Sequence, residues 1–203
     1  MSAAIAICAN GYDQLLVEVN GLRQNNFGQW LFHPGMLFDA PQKWWGDLGA
    51  RDFPHEGVDF CLYRSSSGKI QRLGEKSRIP VMHDGVVRAI FKDYLGWAVV
   101  VEHQGDNWLS VYAHTEPIPG LEPGVVVRKG DIIAHVAGSQ RSKSNILAHL
   151  HLSLARPAPD LVYTSFVWNV MRDRECITLL DPIVAIAGPY EVVDPDGVGA
   201  FGL

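Results

Sequence analysis

The chain has 203 residues, 47% hydrophobic and 19% charged, with a formal net charge of −5. That length suits one domain, or one domain with a substantial arm. It is enough to bury roughly 70% of the unfolded surface, so neither disulfide nor metal is needed merely to make a core. The negative balance gives no reason to expect a nucleic-acid or anionic-membrane partner.

Met1 to Ala9 has a short apolar run without a positive n-region, so no signal peptide is read there, and no segment is apolar enough to span a membrane. Cys8, Cys61 and Cys176 are an odd number with no C-x-x-C, so buried free thiols are expected. Gln14 to Val19 reads as a strand. Asn20-Gly21 and His33-Pro34-Gly35 are turn signals, with His33 a turn residue rather than a ligand. Pro41 to Pro54 is a loop carrying Trp44 and Trp45, either a flap over the core or a cleft wall.

In His55-Glu56-Gly57-Val58-Asp59-Phe60-Cys61-Leu62-Tyr63, apolar residues alternate from Val58, which predicts a strand. His55 and Asp59 would lie about 13 Å apart if fully extended. Gly57 permits the chain to bend so that both reach one point. An imidazole and a carboxylate so placed are plausible zinc ligands. Arg64 to Arg78 is a polar, basic, solvated loop.

Strands follow at Val86 to Phe91, Trp97 to Glu102 and Trp108 to His114, separated by Asp84-Gly85, Gly96 and Gly105-Asp106-Asn107. This density of short strands indicates antiparallel β structure. His114 is a strand histidine opposite an apolar face; His83, His103 and His135 read as exposed. Pro123 to Ala134 is strand, turn, strand, with Lys129-Gly130-Asp131 as the turn.

Gly138 to Ser144 is a polar loop leading to Leu147-Ala148-His149-Leu150-His151-Leu152-Ser153-Leu154, which alternates strictly. A half-buried strand puts both histidines on one face, about 6.6 Å apart. Residues 161–180 suggest a strand followed by a short helix. A Gly/Pro-rich tail closes the chain. The expected fold is mostly β: antiparallel sheets forming a β-sandwich or partly open barrel-like core, with long loops and little helix.

Two imidazoles and one carboxylate, with water in a fourth position, make a catalytic rather than a structural zinc set. In order, His55-Glu56-Gly57-Val58-Asp59, Tyr112-Ala113-His114 and His149-Leu150-His151 spell H-x-G-x-D, Y-x-H and H-x-H. Over about residues 53 to 155 the chain resembles the lysostaphin-type (LytM-like) zinc endopeptidases, which cut peptidoglycan cross-bridges. Pro80-Val81, Asp84 to Val87 and Val127 to Ile133 also look like that family's intervening text. The resemblance implies one Zn2+ held by His55, Asp59 and His151, with His114 and His149 as unliganded catalytic histidines. One would take the proton of zinc-activated water and the other would hydrogen-bond the oxyanion; which does which is open. Ser142 to Ala148 replaces the family's Gly-rich approach to the last motif, and the Arg64–Arg78 loop is longer than usual.

The resemblance also implies a peptide or peptidoglycan substrate, in a groove walled partly by Trp44, Trp45 and the Arg64–Arg78 loop. It suggests a bacterial periplasm or cell envelope, although no signal is seen. The expected organisation is an N-terminal arm over 1–40, a peptidase domain over 41–185 and a tail over 186–203. One alternative is a zinc-bearing module that binds cell-wall peptide or a partner without cutting. Another is a lipoyl- or biotinyl-type carrier, but Lys129 lacks the flanking residues a modified lysine needs and the histidines would go unexplained.

Overall fold

A computed structural model describes residues 11–103, 105, 107–139 and 146–193. Cys8 and parts of the Gly138–Ser144 loop and the C-terminal tail lie outside them. Thirteen strands among the described residues form two sheets. The larger runs β12 (Ile177–Leu180), β11 (Leu150–Pro157), β8 (Trp108–Pro117), β7 (Trp97–His103), β6 (Gly85–Lys92) and β9 (Val126–Val127). β2 (Val58–Phe60) pairs with β11, and β10 (Ile132–Val136) joins β5 (Arg78–Pro80) to β8. The smaller sheet is ordered β13 (Tyr190–Val192), β1 (Phe27–Phe32), β3 (Leu62–Ser65) and β4 (Ile70–Arg72). Every named strand pair is antiparallel except β1 with β13. The fold is mostly β, as the sequence leads one to expect.

The central strands are buried on both faces, not one. Val99, Val101, Tyr112, Leu150, Leu152 and Leu154 enter a large core with Trp30, Phe32 and Phe60. The alternate residues Ala98, Val100, Leu109, Val111, Ala113 and Ala155 enter a second core, closed by Phe166, Met171 and Ile177. Period-2 alternation sorts the side chains as expected, but residues 161–180 cover the face that would otherwise meet water.

Several elements differ from expectation. Residues 12–19 form helix α1 (Tyr12–Val19), not a strand. Tyr12, Asp13, Leu16 and Val17 are its buried residues, a helical spacing that a six-residue alternation cannot distinguish. Residues 58–63 are two strands broken at Cys61: β2 serves the larger sheet and β3 the smaller. Arg64–Arg78 contains the β3–β4 hairpin, because Ser66 to Gly68 supplies a tight turn. After residue 161 the order is helix α2 (Trp168–Arg172) and then β12. The Arg128–Asp131 turn forms, but β9 pairs with β6 and β10 with β5 and β8, so the strands on either side are not hairpin partners. Cys61 is buried, whereas Cys176 is only partly covered.

Candidate metal centre and cleft

The site forms where β2, β11 and β8 lie side by side. Asp59 on β2 is directly opposite His151 on β11, which is opposite Ala113 on β8. Directly opposed residues share a face, so sheet register alone brings Asp59 to His151. His55 precedes β2 and folds back over it. The approach is very close at Gly57: a Cβ there would stand 2.2 Å from the Leu152 carbonyl oxygen and 2.8 Å from His151 Nε2. Glycine is therefore required for close approach, not for a left-handed bend.

Three ligand atoms converge. His55 Nε2 is 3.1 Å from Asp59 Oδ1 and 3.0 Å from His151 Nδ1, and His151 Nδ1 is 2.9 Å from Asp59 Oδ1. Each residue is at least 95% buried. His55 Nδ1–H donates to the Leu37 carbonyl at 2.9 Å, so Nε2 carries the lone pair. The Ser153 hydroxyl, 2.9 Å from His151 Nε2, can accept from it and leave Nδ1 free. Trp44 Nε1–H donates to Asp59 Oδ2 at 2.6 Å and orients the carboxylate. Two nitrogen lone pairs and a carboxylate packed this tightly in a buried site are matched by a cation among them. A tetrahedral ion with bonds of about 2 Å spaces its ligands roughly 3.3 Å apart, close to these separations. The donor set therefore fits a metal ion. Burial alone would raise the Asp59 carboxyl, but the positive charge that the adjoining imidazoles of His55, His149 and His151 can carry holds it well below the usual range.

His149 lies just before β11, not within it. Its Nδ1–H donates to the Leu147 carbonyl at 2.7 Å, and Nε2 faces Asp59 Oδ1 at 3.7 Å. Burial pushes this imidazole down to about 3 despite the Asp59 charge. His114 reaches the same place by another route. Alternation alone would send it with Tyr112 to the opposite face. Instead β8 carries an extra residue against β7 between Tyr112 and Thr115, and His114 has φ +61°. This bulge turns its side chain into the cleft. The His114 ring centroid is then 4.7 Å from that of His149 and 5.7 Å from that of His151. Tyr112, two residues earlier, is a core group whose hydroxyl accepts from the Met82 amide.

All five expected site residues thus line one cavity of about 230 Å³, with Trp45, Arg51, Asp93, Tyr94 and Trp168 among its walls. No residue of the Arg64–Arg78 segment borders it, and Trp44 is fully buried, holding Asp59 instead of forming a wall. The corrected walls come from the β6–β7 turn and from α2. A larger cavity of about 450 Å³ adjoins it across Glu56 and Arg172 but contains only His55 of the five. Arg172 Nε donates to Glu56 Oε1 at 2.5 Å, tying α2 to the residue beside His55.

The roles of Asp93, Trp44 and Ser153 have no sequence signal, since nothing marks a lone Asp, Trp or Ser as the partner of a distant site residue; Trp44 stands out in sequence only as a flap or cleft-wall residue. Asp93 Oδ2 accepts from both the Nδ1–H and the backbone N–H of His114, the latter at 2.8 Å. Trp168 Nε1–H donates to Oδ1 at 2.8 Å. Burial raises the Asp93 carboxyl, but the His114 hydrogen bond and charge, then Trp168 and the Tyr94 amide, outweigh it and hold it well below the usual range. The remaining histidines stand apart from the site. His33 caps a short turn, its Nδ1 accepting from the Gly35 amide. His103 is buried, contrary to its reading as an exposed turn residue, because it stacks on Trp108 beneath the Asp84 turn.

Comparison with known proteins finds that the model of peptidase family M23 matches residues 54–160. Among solved structures the chain is similar to CbpA from L. salivarius REN, at 22% identity and a TM-score of 0.46, covering 80% of this chain and 95% of that one. It is also similar to the catalytic domain of the antimicrobial peptidase lysostaphin from Staphylococcus simulans, at 16% identity and a TM-score of 0.47, covering 80% and 93%. Comparison with curated proteins gives no significant match.

Proposed function

Since the chain belongs to peptidase family M23, we propose that it is a zinc metalloendopeptidase that hydrolyses peptide bonds in peptidoglycan cross-links. One observation carries this reading. His55 Nε2, Asp59 Oδ1 and His151 Nδ1 stand within 3.1 Å of one another, and His114 and His149 open onto the same cavity. In this reading His55, Asp59 and His151 hold one Zn2+. When bound, zinc lowers the pKa of a water toward about 7 and polarises the scissile carbonyl.

The rest is done by the chain. His114 and His149 each have Nδ1 tied to a fixed acceptor, Asp93 or Leu147, leaving Nε2 toward the cleft. One unprotonated Nε2 takes a proton from the attacking water and passes it to the leaving amine, while the other imidazole, protonated at both nitrogens, donates its Nε2–H to the developing oxyanion. Trp45, Tyr94 and Trp168 exclude water from the peptide and restrict its path. A cavity of this size favours small residues at the scissile bond.

Elemental analysis should find about one zinc per chain, and the zinc-loaded protein should release new amino groups from purified peptidoglycan. Chelation should abolish release without unfolding the domain, because two apolar cores lie outside the metal site. Whole-domain melting on chelation would point to a structural metal. If zinc-loaded protein leaves both peptidoglycan and glycine-rich peptides uncut, the non-catalytic binding module replaces this reading.

A further inference from the structure

We infer that Asp93 is a positioning residue for the reaction, locking His114 in the one backbone and ring state that presents Nε2 to the cleft. This deepens the proposed function and rests on it. A single carboxylate oxygen accepts from both the backbone N–H and the ring Nδ1–H of His114. The two contacts answer two problems created by the β8 bulge. The bulge takes the His114 amide out of the ladder with β7 and leaves a part-buried donor to satisfy. It also holds a non-glycine residue at φ +61°, a conformation that persists only where the surroundings over-determine it.

With Nδ1–H committed to Asp93, Nε2 is the bare nitrogen. A histidine with no such partner distributes its proton between both ring positions. Asp93 is itself held from two sides. Its side chain is 1% exposed, and Oδ1 accepts from Trp168 Nε1–H. Its own turn is pressed onto β8 next to His114: a Cβ on Gly96 would lie 2.6 Å from the Thr115 carbonyl oxygen. The structure thus gives α2 a second task beyond closing a core, since its Trp168 fixes the carboxylate that fixes His114.

Asp93→Ala and Asp93→Asn are compared with wild type by zinc content, by kcat and KM on solubilised peptidoglycan fragments, and by 15N NMR of the histidine rings. Asp93 touches none of the three proposed ligands, so zinc content should be unchanged. The alanine variant should lose roughly a hundredfold in kcat, with KM little changed and the His114 ring a mixture of tautomers. The asparagine variant should lose about tenfold, because its amide presents N–H to either Trp168 or His114. Trp168→Phe keeps the ring and removes only the N–H, and should show a smaller loss in the same direction; it stands in if the alanine variant does not fold. A packing role alone would lower the melting temperature while leaving the tautomer and kcat at wild-type values, which overturns the inference. If wild type itself cleaves nothing, the proposed function fails, while the tautomer comparison still decides whether Asp93 fixes His114.

Discussion

β7 and β8 carry buried histidine chemistry at both ends of the sheet, and the two ends behave oppositely. At one end His103 stacks on Trp108 with ring centroids 3.9 Å apart. Its Nδ1 meets the Asp84 carbonyl at 3.1 Å and its Nε2 the Ser110 hydroxyl at 2.7 Å. Both nitrogens have neutral partners, so the imidazole is satisfied as it stands. At the other end, His55 and His151 point nitrogens at each other and at a carboxylate, while His114 and His149 keep Nε2 toward a cavity. Both ends bury imidazoles beneath the same strands. What separates a packed histidine from a chemical site is which ring nitrogens remain uncommitted once the local acceptors are assigned.

The largest effect that would break this contrast is expected at Gly57. Gly57→Ala places a methyl group against the Leu152 carbonyl and the His151 ring. Backbone cannot yield there without separating β2 from β11, so stability should fall by about 3 kcal/mol or more and zinc should be lost with it. Urea denaturation and zinc stoichiometry check this; a variant that binds zinc at wild-type stability would refute the close-approach argument. Next come the histidines. His151→Ala should lose zinc and turnover together. His149→Ala and His114→Ala should keep zinc and lose roughly a hundredfold or more in turnover. Should His149→Ala lose the metal while His151→Ala retains it, the two roles are reversed.

The sequence carries the site unevenly, and the reasons are physical. H-x-H is legible because alternation and register are local. Asp59 is legible through its spacing from His55, although the reason for Gly57 is a backbone approach that no local pattern reveals. His114 is a harder case: alternation taken alone sends it to the wrong face, and only the ordered family motifs place it in the site. The bulge that re-aims it leaves no local signature. Asp93 and Trp168 lie 21 and 75 residues from the groups they contact, so nothing in their own neighbourhoods marks them. The mostly β fold follows from the turn-punctuated strands. Helix α1 escapes local pattern reading because six residues span less than two turns, too few to separate its helical spacing from alternation.

The smallest expected effect sharpens the comparison from the His103 end. Burial, helped by the neighbouring His83 charge, pushes His103 down to about 4, against the opposing pull of the Asp84 carbonyl. In the unfolded chain the same imidazole titrates near its ordinary value of about 6.5. The folded pKa is depressed, so the unfolded state binds the proton first as pH falls. The contribution of the neutral histidine is complete above about pH 6.5 and declines progressively toward pH 4. At pH 5 the loss from this one group is about 2 kcal/mol. Other groups titrate in the same range, so the observable is a difference in slopes. Unfolding free energies of wild type and His103→Gln are measured from pH 7 to 5; glutamine keeps an N–H for the Asp84 carbonyl but takes up no proton. Wild type should lose about 2 kcal/mol more over that range than the variant, whatever the fixed cost of the substitution. Equal slopes would mean that His103 gains its proton in the folded state as readily as in the unfolded one, and the contrast between a closed and an open histidine site would then fail at its closed end.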